Sequence, residues 1–242
     1  MSDGSSDECI KDASTVIVLR DTEAGIETFL LCRHRQSGFM GGAHVFPGGK
    51  VDEDDRSAGW LNYVDQTDTA ITSALGEQDG EGGLGLLVAG IRETFEEAGV
   101  LLARASDAAD LVSARTRLHE GGDFMALAKE VEMRIDASAL VPYARWITPK
   151  MESRRFDTRF YIARMPESQQ ASHDGSETTS AAWLRPSEAL DDMLSGRIKL
   201  APPTVRTLRW LADFEDSGAV MQDARSRTPP LVRPRIVAGE GS

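Results

Sequence analysis

The sequence predicts an α/β domain, and three observations carry that prediction. Runs of strand length rich in β-branched and aromatic residues lie at 14–19, 140–147 and 156–163. A segment with helical period starts near Leu84 to Leu86 and stops at Gly99. At 242 residues and 40% apolar content, the chain suits one domain with insertions and has enough material for a core. The expected organisation is a flexible N-terminus over 1–13 and a main domain over 14–215, followed by a tail over 216–242. Insertions within the main domain are expected at 56–85 and 105–134.

Taken in order, residues 1–12 are Ser/Asp-rich and read as disordered. Thr15-Val16-Ile17-Val18-Leu19 reads as a buried strand, 21–25 carries turn chemistry, and 28–32 returns as its hairpin partner. Arg33, His34 and Arg35 follow, either as a solvated strand end or as cations whose forks suit phosphate oxygens. Residues 36–49 form a glycine-rich loop, a sign that backbone bends or comes close to something. Within it, His44 reads as a hydrogen-bonded loop residue.

Trp60, Leu61, Val64, Ile71 and Leu75 suggest one or two short helices docked on the body, and a glycine-rich acidic link comes next. That link is no phosphate loop, because no Gly-Lys-Ser/Thr closes it. After the central helix, Asp107 would cap a helix that turns Leu111, Ala114 and Leu118 inward. Gly121-Gly122 breaks it, and Phe124, Leu127, Ala128 and Val131 form a second stripe. This helical excursion would wall a cleft or build a homodimer contact.

In the strand at 156–163, Phe156, Thr158, Phe160 and Ile162 alternate with Asp157, Arg159, Tyr161 and Ala163, which predicts one buried face. The loop before it carries Arg154 and Arg155, as surface charge or as phosphate contacts. A polar loop carrying Glu177 leads to a short strand at 182–184. Helices are expected over 187–194 and from Pro202-Pro203, whose rings fit a first turn. The end of the chain reads as loose or as an added edge strand.

The central helix holds the chemistry. Arg92-Glu93-Thr94-Phe95-Glu96-Glu97-Ala98-Gly99-Val100 sets Glu93, Glu96 and Glu97 on one helical face, while Val88, Ile91 and Phe95 share the other. Gly99 suits a left-handed C-cap. Three clustered carboxylates are either a solvated acidic face or oxygen ligands for a hard cation such as Mg²⁺ or Mn²⁺.

With the upstream Phe46-Pro47-Gly48-Gly49-Lys50-Val51-Asp52, this stretch resembles the Nudix box of the nucleoside-diphosphate-linked-moiety hydrolases. Gly49 supplies the opening glycine. Thr94 replaces an apolar residue, and Asp55 stands where the box has its first glutamate. Residues 56–91 separate Asp55 from Arg92, so the box is split by an insertion. The split resembles the subfamily containing the peroxisomal coenzyme A diphosphatase of animals and its bacterial relatives. Trp146-Ile147-Thr148-Pro149, Arg154-Arg155-Phe156-Asp157-Thr158-Arg159-Phe160 and Leu200-Ala201-Pro202-Pro203 resemble it too. Upstream, Leu30-Leu31-Cys32 and Gly42 through Gly49 match part of the subfamily's coenzyme A pattern, whose interior arginine falls on Gly38 here.

The resemblance implies an α/β/α sandwich with a mixed central sheet and helical insertions. It implies hydrolysis of a diphosphate link, with coenzyme A or acyl-coenzyme A as first substrate. ADP-ribose, NADH or a nucleotide sugar is the alternative, and a non-catalytic binding module a further one. Glu93, Glu96, Glu97 and a carbonyl of Gly48 or Gly49 would hold Mg²⁺ or Mn²⁺. Glu93 or Glu177 would take the proton of the attacking water. Arg92, grouped with these catalytic residues, is expected to pair with a helix-face carboxylate and orient the helix. Arg33, Arg35, Arg154 and Arg155 would contact substrate phosphates.

A net charge of −12, from 27 basic and 39 acidic residues, argues against a general nucleic-acid or membrane-surface binder. Two cysteines make no disulfide framework. No apolar run approaches the length of a membrane span. The N-terminal residues are unlike a secretory signal, and Glu240-Gly241-Ser242 is not a peroxisomal address. The expected location is the cytoplasm.

Overall fold

A computed structural model describes residues 10–35, 40–74, 82–106, 109–175 and 178–234. Its chain order is β1 (Lys11–Thr22), β2 (Gly25–Arg33), β3 (Ala43–Val45), β4 (Gly48–Lys50), α1 (Asp68–Ala74), α2 (Gly83–Ala98), α3 (Leu111–His119) and α4 (Phe124–Glu130). There follow β5 (Val141–Ile147), β6 (Phe156–Arg164), β7 (Thr178–Leu184), α5 (Pro186–Leu194), β8 (Lys199–Leu200), α6 (Pro202–Leu211), α7 (Ser217–Ser226) and β9 (Leu231–Val232).

The strands form one mixed sheet in the order β8-β3-β2-β1-β6-β5-β9, with β4 also paired to β1 and β7 to β2. β1 is the hinge of this arrangement. It runs parallel to β6 from Lys11 opposite Phe156 to Leu19 opposite Arg164. Along its other edge it pairs with β2 at Leu19–Thr22 and with β4 at Ala13–Thr15. The sheet therefore opens between the two partners, and Val16 donates to the carbonyl of Pro47 in the gap, at 2.9 Å.

Side chains of β1 alternate between two cores, as a pleated strand requires. Val16 and Val18 join Phe29, Leu31, Tyr161 and Ala163 under α2, α3 and α4. Ile17 and Leu19 join Leu30, Phe160 and Ile162 under α5, α6 and α7. The result is the α/β/α sandwich. It also corrects the expectation for β6, whose alternation predicted one buried face. Phe160, Tyr161, Ile162 and Ala163 are all buried, because helices cover both sides of the sheet.

The insertion after β4 docks as expected through Trp60 and Ile71, both buried, using two 3₁₀ turns and α1. Trp60 lies 5.2 Å, ring to ring, from Phe124 of α4, so the two excursions pack on each other. Leu61 is exposed instead of buried, and Leu75 lies outside the described residues. So does Asp107, expected as a helix cap; Asp110 caps α3, its side chain accepting from Ser113 N. His44 sits on β3 and not in a loop.

Both expected end regions are more ordered than the sequence suggested. Lys11–Ala13 already belongs to β1. Beyond 216, the supposed tail contains α7, whose Val220, Met221 and Ala224 are buried in the second core. Arg227 then lies over the rings of Trp210 and Tyr143, and β9 pairs with β5. No helix among the described residues is long and apolar enough to cross a membrane.

Candidate active site

α2 presses its apolar face, Val88, Ile91 and Phe95, fully into the first core, which turns its carboxylates toward β4 and the 3₁₀ turn at Asp54–Arg56. At their meeting point Arg92 is 8% exposed. Its guanidinium grips Asp55 bidentately, Nε to Oδ1 and Nη2 to Oδ2 at 2.8 Å each. Nη2 also donates to the Lys50 carbonyl at 3.2 Å, and Nη1 to Glu93 Oε1 at 3.0 Å and Glu96 Oε2 at 3.2 Å. Asp55 further accepts from Asp52 N at 2.8 Å. One ion pair thus joins the two halves of the interrupted motif across 37 positions of sequence.

The two glycines set the approach distance. A Cβ on Gly49 would fall 2.4 Å from Glu93 Oε1, so any side chain there displaces the Glu93 carboxylate from its place against the turn. Gly48 has a φ of +152°, which side chains disfavour, and a Cβ on it would fall 2.3 Å from the Ser14 carbonyl. Gly48 N donates to Glu97 Oε2 at 2.8 Å.

Burial and charge act strongly here. Desolvation pushes the Glu93 carboxyl up to about 7; Arg92 opposes the shift and repulsion from Glu96 adds to it. Burial raises Glu96 in the same way, again against Arg92. For Arg92, burial works against the charge, but Asp55 and the fields of Glu93 and Glu96 outweigh it and hold the guanidinium above its ordinary value. Arg92, with Lys50 paired to Asp52 nearby, therefore serves a site whose acids still outnumber its cations among the described residues.

That surplus is the feature that fits a divalent cation. The donors are all oxygens, as hard ions prefer, and a cation would offset the burial and the repulsion from Glu96 that disfavour the charged form of Glu93. Among the described residues no three such side chains already converge as a closed ligand set. Glu93 and Glu96 turn toward Arg92, and Glu97 toward Gly48 N. Rotation of these carboxylates away from those donors would bring their oxygens to an ion.

The expected site residues divide into three groups. Arg92, Glu93, Glu96, Glu97, Gly48 and Gly49 come together. Arg92 does so as a buried clamp that positions the helix, the part expected of it, and not as a group open to substrate. Glu177 lies outside the described residues. The four other arginines are joined to the glutamates by no described contact: Arg35 and Arg154 are exposed, Arg33 ends β2 partly buried, and Arg155 Nε donates to the Thr148 carbonyl at 3.3 Å. Asp55 had been assigned no role. Its place in the motif, where an acid belongs, was the signal for one.

An acidic helix clamped against a diglycine turn, within a mixed sheet covered on both faces, is the arrangement that the Nudix resemblance implied. The family model for the NUDT19 Nudix domain matches residues 77–211, and the chain belongs to this Nudix family. It is 32% identical over 229 residues to the acyl-coenzyme A diphosphatase NUDT19 of Xenopus laevis, covering 78% of this chain and 60% of that one. The Homo sapiens protein of the same name is also 32% identical, over 235 residues, with 78% and 61% covered. The chain thus spans about three-fifths of the length of these curated relatives. The crystal structure of a NUDIX hydrolase from Alicyclobacillus acidocaldarius superposes with a TM-score of 0.75 at 26% identity, covering 88% of this chain and 96% of that one.

Proposed function

We propose that this protein hydrolyses the diphosphate link of a nucleoside-diphosphate derivative, with coenzyme A or an acyl-coenzyme A as its substrate. The observation that carries the reading is the Asp55–Arg92 clamp. It brings together two halves of the motif that the sequence separates, and so supports the reading that they act as one site. The substrate class is supported by the names of the relatives that the chain matches over most of its length.

Nudix hydrolases generally use a divalent metal. In this reading Glu93, Glu96 and Glu97, with a carbonyl of Gly48 or Gly49, hold Mg²⁺ or Mn²⁺. When bound, the ion neutralises the phosphate oxygens and activates water for attack. The chain's own residues do the rest. Arg92 draws Glu93 and Glu96 to one side of the helix and fixes their spacing. Gly49 allows the turn to lie against Glu93. Glu93 or Glu177 accepts the proton of the attacking water as general base. Arg33, Arg35, Arg154 and Arg155 remain candidates for the phosphates of the substrate. The sparse cysteines favour a cytoplasmic setting. α3, packed beside α2, favours a cleft wall over a homodimer contact as the role of the helical excursion.

The test is a panel of coenzyme A, acyl-coenzyme A, ADP-ribose, NADH and a nucleotide sugar, each with Mg²⁺ or Mn²⁺ and ranked by kcat/KM. Coenzyme A or its acyl ester should lead, releasing an adenosine bisphosphate and a phosphopantetheine. A lead for ADP-ribose, or no turnover with any of them, would overturn the reading.

A further inference from the structure

The end of α2 that bears Glu96 and Glu97 is held from outside the motif. Its last carbonyls have no partner within the helix and need donors from elsewhere. Arg115, on α3 of the helical excursion, supplies them: Nε donates to the Glu96 carbonyl at 2.8 Å and Nη2 to the Glu97 carbonyl at 2.7 Å. The same guanidinium continues to Ser172, Nη1 reaching Oγ and Nη2 the carbonyl, both at 3.0 Å. Ser172 N in turn donates to the Ala98 carbonyl at 2.9 Å.

Gly99 caps the helix with a φ of +68°, and a Cβ there would fall 2.8 Å from Arg115 Nη1, so the cap residue also makes room for the guanidinium. Downstream, Asp174 Oδ1 accepts from Thr178 N at 3.1 Å and from Thr178 Oγ1 at 2.6 Å, which closes the loop into β7. Glu177 falls in the sequence between those two residues.

We propose that Arg115 is a positioning residue for the reaction: it locks the last turn of the glutamate helix to the segment at Ser172 that leads toward β7. This rests on the diphosphohydrolase reading and adds a residue to it from outside the motif. The physical reason lies in the fork. One planar guanidinium serves two successive helix carbonyls and a loop residue at once, which a lysine ammonium cannot do with the same rigidity. The backbone atoms it holds belong to Glu96 and Glu97 themselves, so a loosened turn displaces both carboxylates together. Small displacements at a reacting centre, or loss of an outer partner of a metal ligand, each cost on the order of ten- to a hundredfold.

The experiment compares the chain with its Arg115→Ala and Arg115→Lys variants, well below their melting temperatures. It measures kcat and KM for the best substrate of the panel, Mn²⁺ affinity from the resonance of free Mn²⁺, and amide exchange at Gly99 and Ser172. Both variants should lose roughly ten- to a hundredfold in kcat, with KM within about threefold. Mn²⁺ affinity should weaken by about tenfold, and exchange at Ser172 should quicken. Added guanidinium should restore part of the kcat of Arg115→Ala. Should that variant fail to fold, Arg115→Lys decides alone. Wild-type kcat and Mn²⁺ affinity in Arg115→Lys would overturn the proposal, because charge without the fork would then suffice. If the unaltered chain cleaves no diphosphate, the functional reading fails by itself, while Mn²⁺ affinity and amide exchange still judge Arg115.

Discussion

Arg92 and Arg159 are the buried arginines among the described residues, and their surroundings are opposite. Arg159, on β6, meets Asp12 at 2.9 Å and Asp157 at 3.1 Å. Each of those acids has a second arginine: Arg56 reaches Asp12 at 2.8 Å, and Arg145 binds Asp157 with both arms of its fork. Two carboxylates are thus shared by three guanidiniums across the neighbouring strands β1, β6 and β5 and the turn that carries Arg56. Around Arg92 the ratio is inverted: its guanidinium faces Asp55, Glu93, Glu96 and, at 3.5 Å, Asp52, and Lys50, 2.5 Å from Asp52, is the second cation. A chain that needs only to tie its strands down can balance its charges. An excess of acid, kept partly out of water, costs stability unless a cation arrives. The network left unbalanced by the protein itself marks the site.

Removing an acid from each network breaks the comparison most directly. Asp55→Ala strips Arg92 of its bidentate partner and leaves Nε and one hydrogen of Nη2 unserved while Glu93 and Glu96 keep Nη1, so it should cost about 3 kcal/mol in denaturant unfolding, toward the lower end for a broken buried pair. A cost below about 1 kcal/mol would mean that the clamp is incidental.

Glu97→Gln comes next. Loss of several kcal/mol of charge stabilisation in the transition state corresponds to a fall in kcat of roughly 10²- to 10³-fold. The amide oxygen can still accept from Gly48 N, so the melting temperature should hardly move. Activity within a few-fold of the parent would remove Glu97 from the ligand set.

The third effect depends on pH. The Glu93 carboxyl sits at about 7 in the fold, against an ordinary value of 4.5. It binds its proton more tightly folded than unfolded. Its contribution is therefore complete below about 4.5 and is lost as pH rises through about 7, a ceiling of about 3 kcal/mol. Metal-free protein should lose stability between pH 5 and pH 8, and Glu93→Gln should lose less over that range. Equal slopes for the two would refute the assignment. Mn²⁺ affinity should rise across the same interval as the proton is displaced.

The smallest effect falls on the balanced network. Asp157→Ala leaves Arg159 its contact with Asp12, so a loss of about 1–2 kcal/mol, with kcat within a few-fold, is expected. A cost equal to that of Asp55→Ala would erase the distinction between the two networks.

The parts of the site that are local in the chain were legible. Helical spacing puts Glu93, Glu96 and Glu97 on one face, and a pair of glycines before an acidic helix announces close approach. The residues that escaped notice act across distance. Arg115 lies on a helix whose sequence looks like packing, and its partners are backbone carbonyls, which carry no signal in side-chain pattern. The four other arginines show the converse: their charge suggested phosphate, but no described contact joins them to the glutamates. β6 misled because alternation of polar and apolar residues does not reveal that Tyr161 and Ala163 are covered by a second layer of helices. α7 went unread because Val220, Met221 and Ala224 make a weak stripe that gains meaning only against Leu208 and Leu211.

By itself, then, the order of residues determined which groups share a face of the helix, since periodicity and residue type settle what one helix presents on each side. Tertiary structure decided which groups meet. Asp55 reaches Arg92 because Trp60 and Ile71 dock in the first core, beside the helix that carries Arg92. It also decided how strongly they act, because the lift on Glu93 comes from removal of water, and water is excluded only when the layers close.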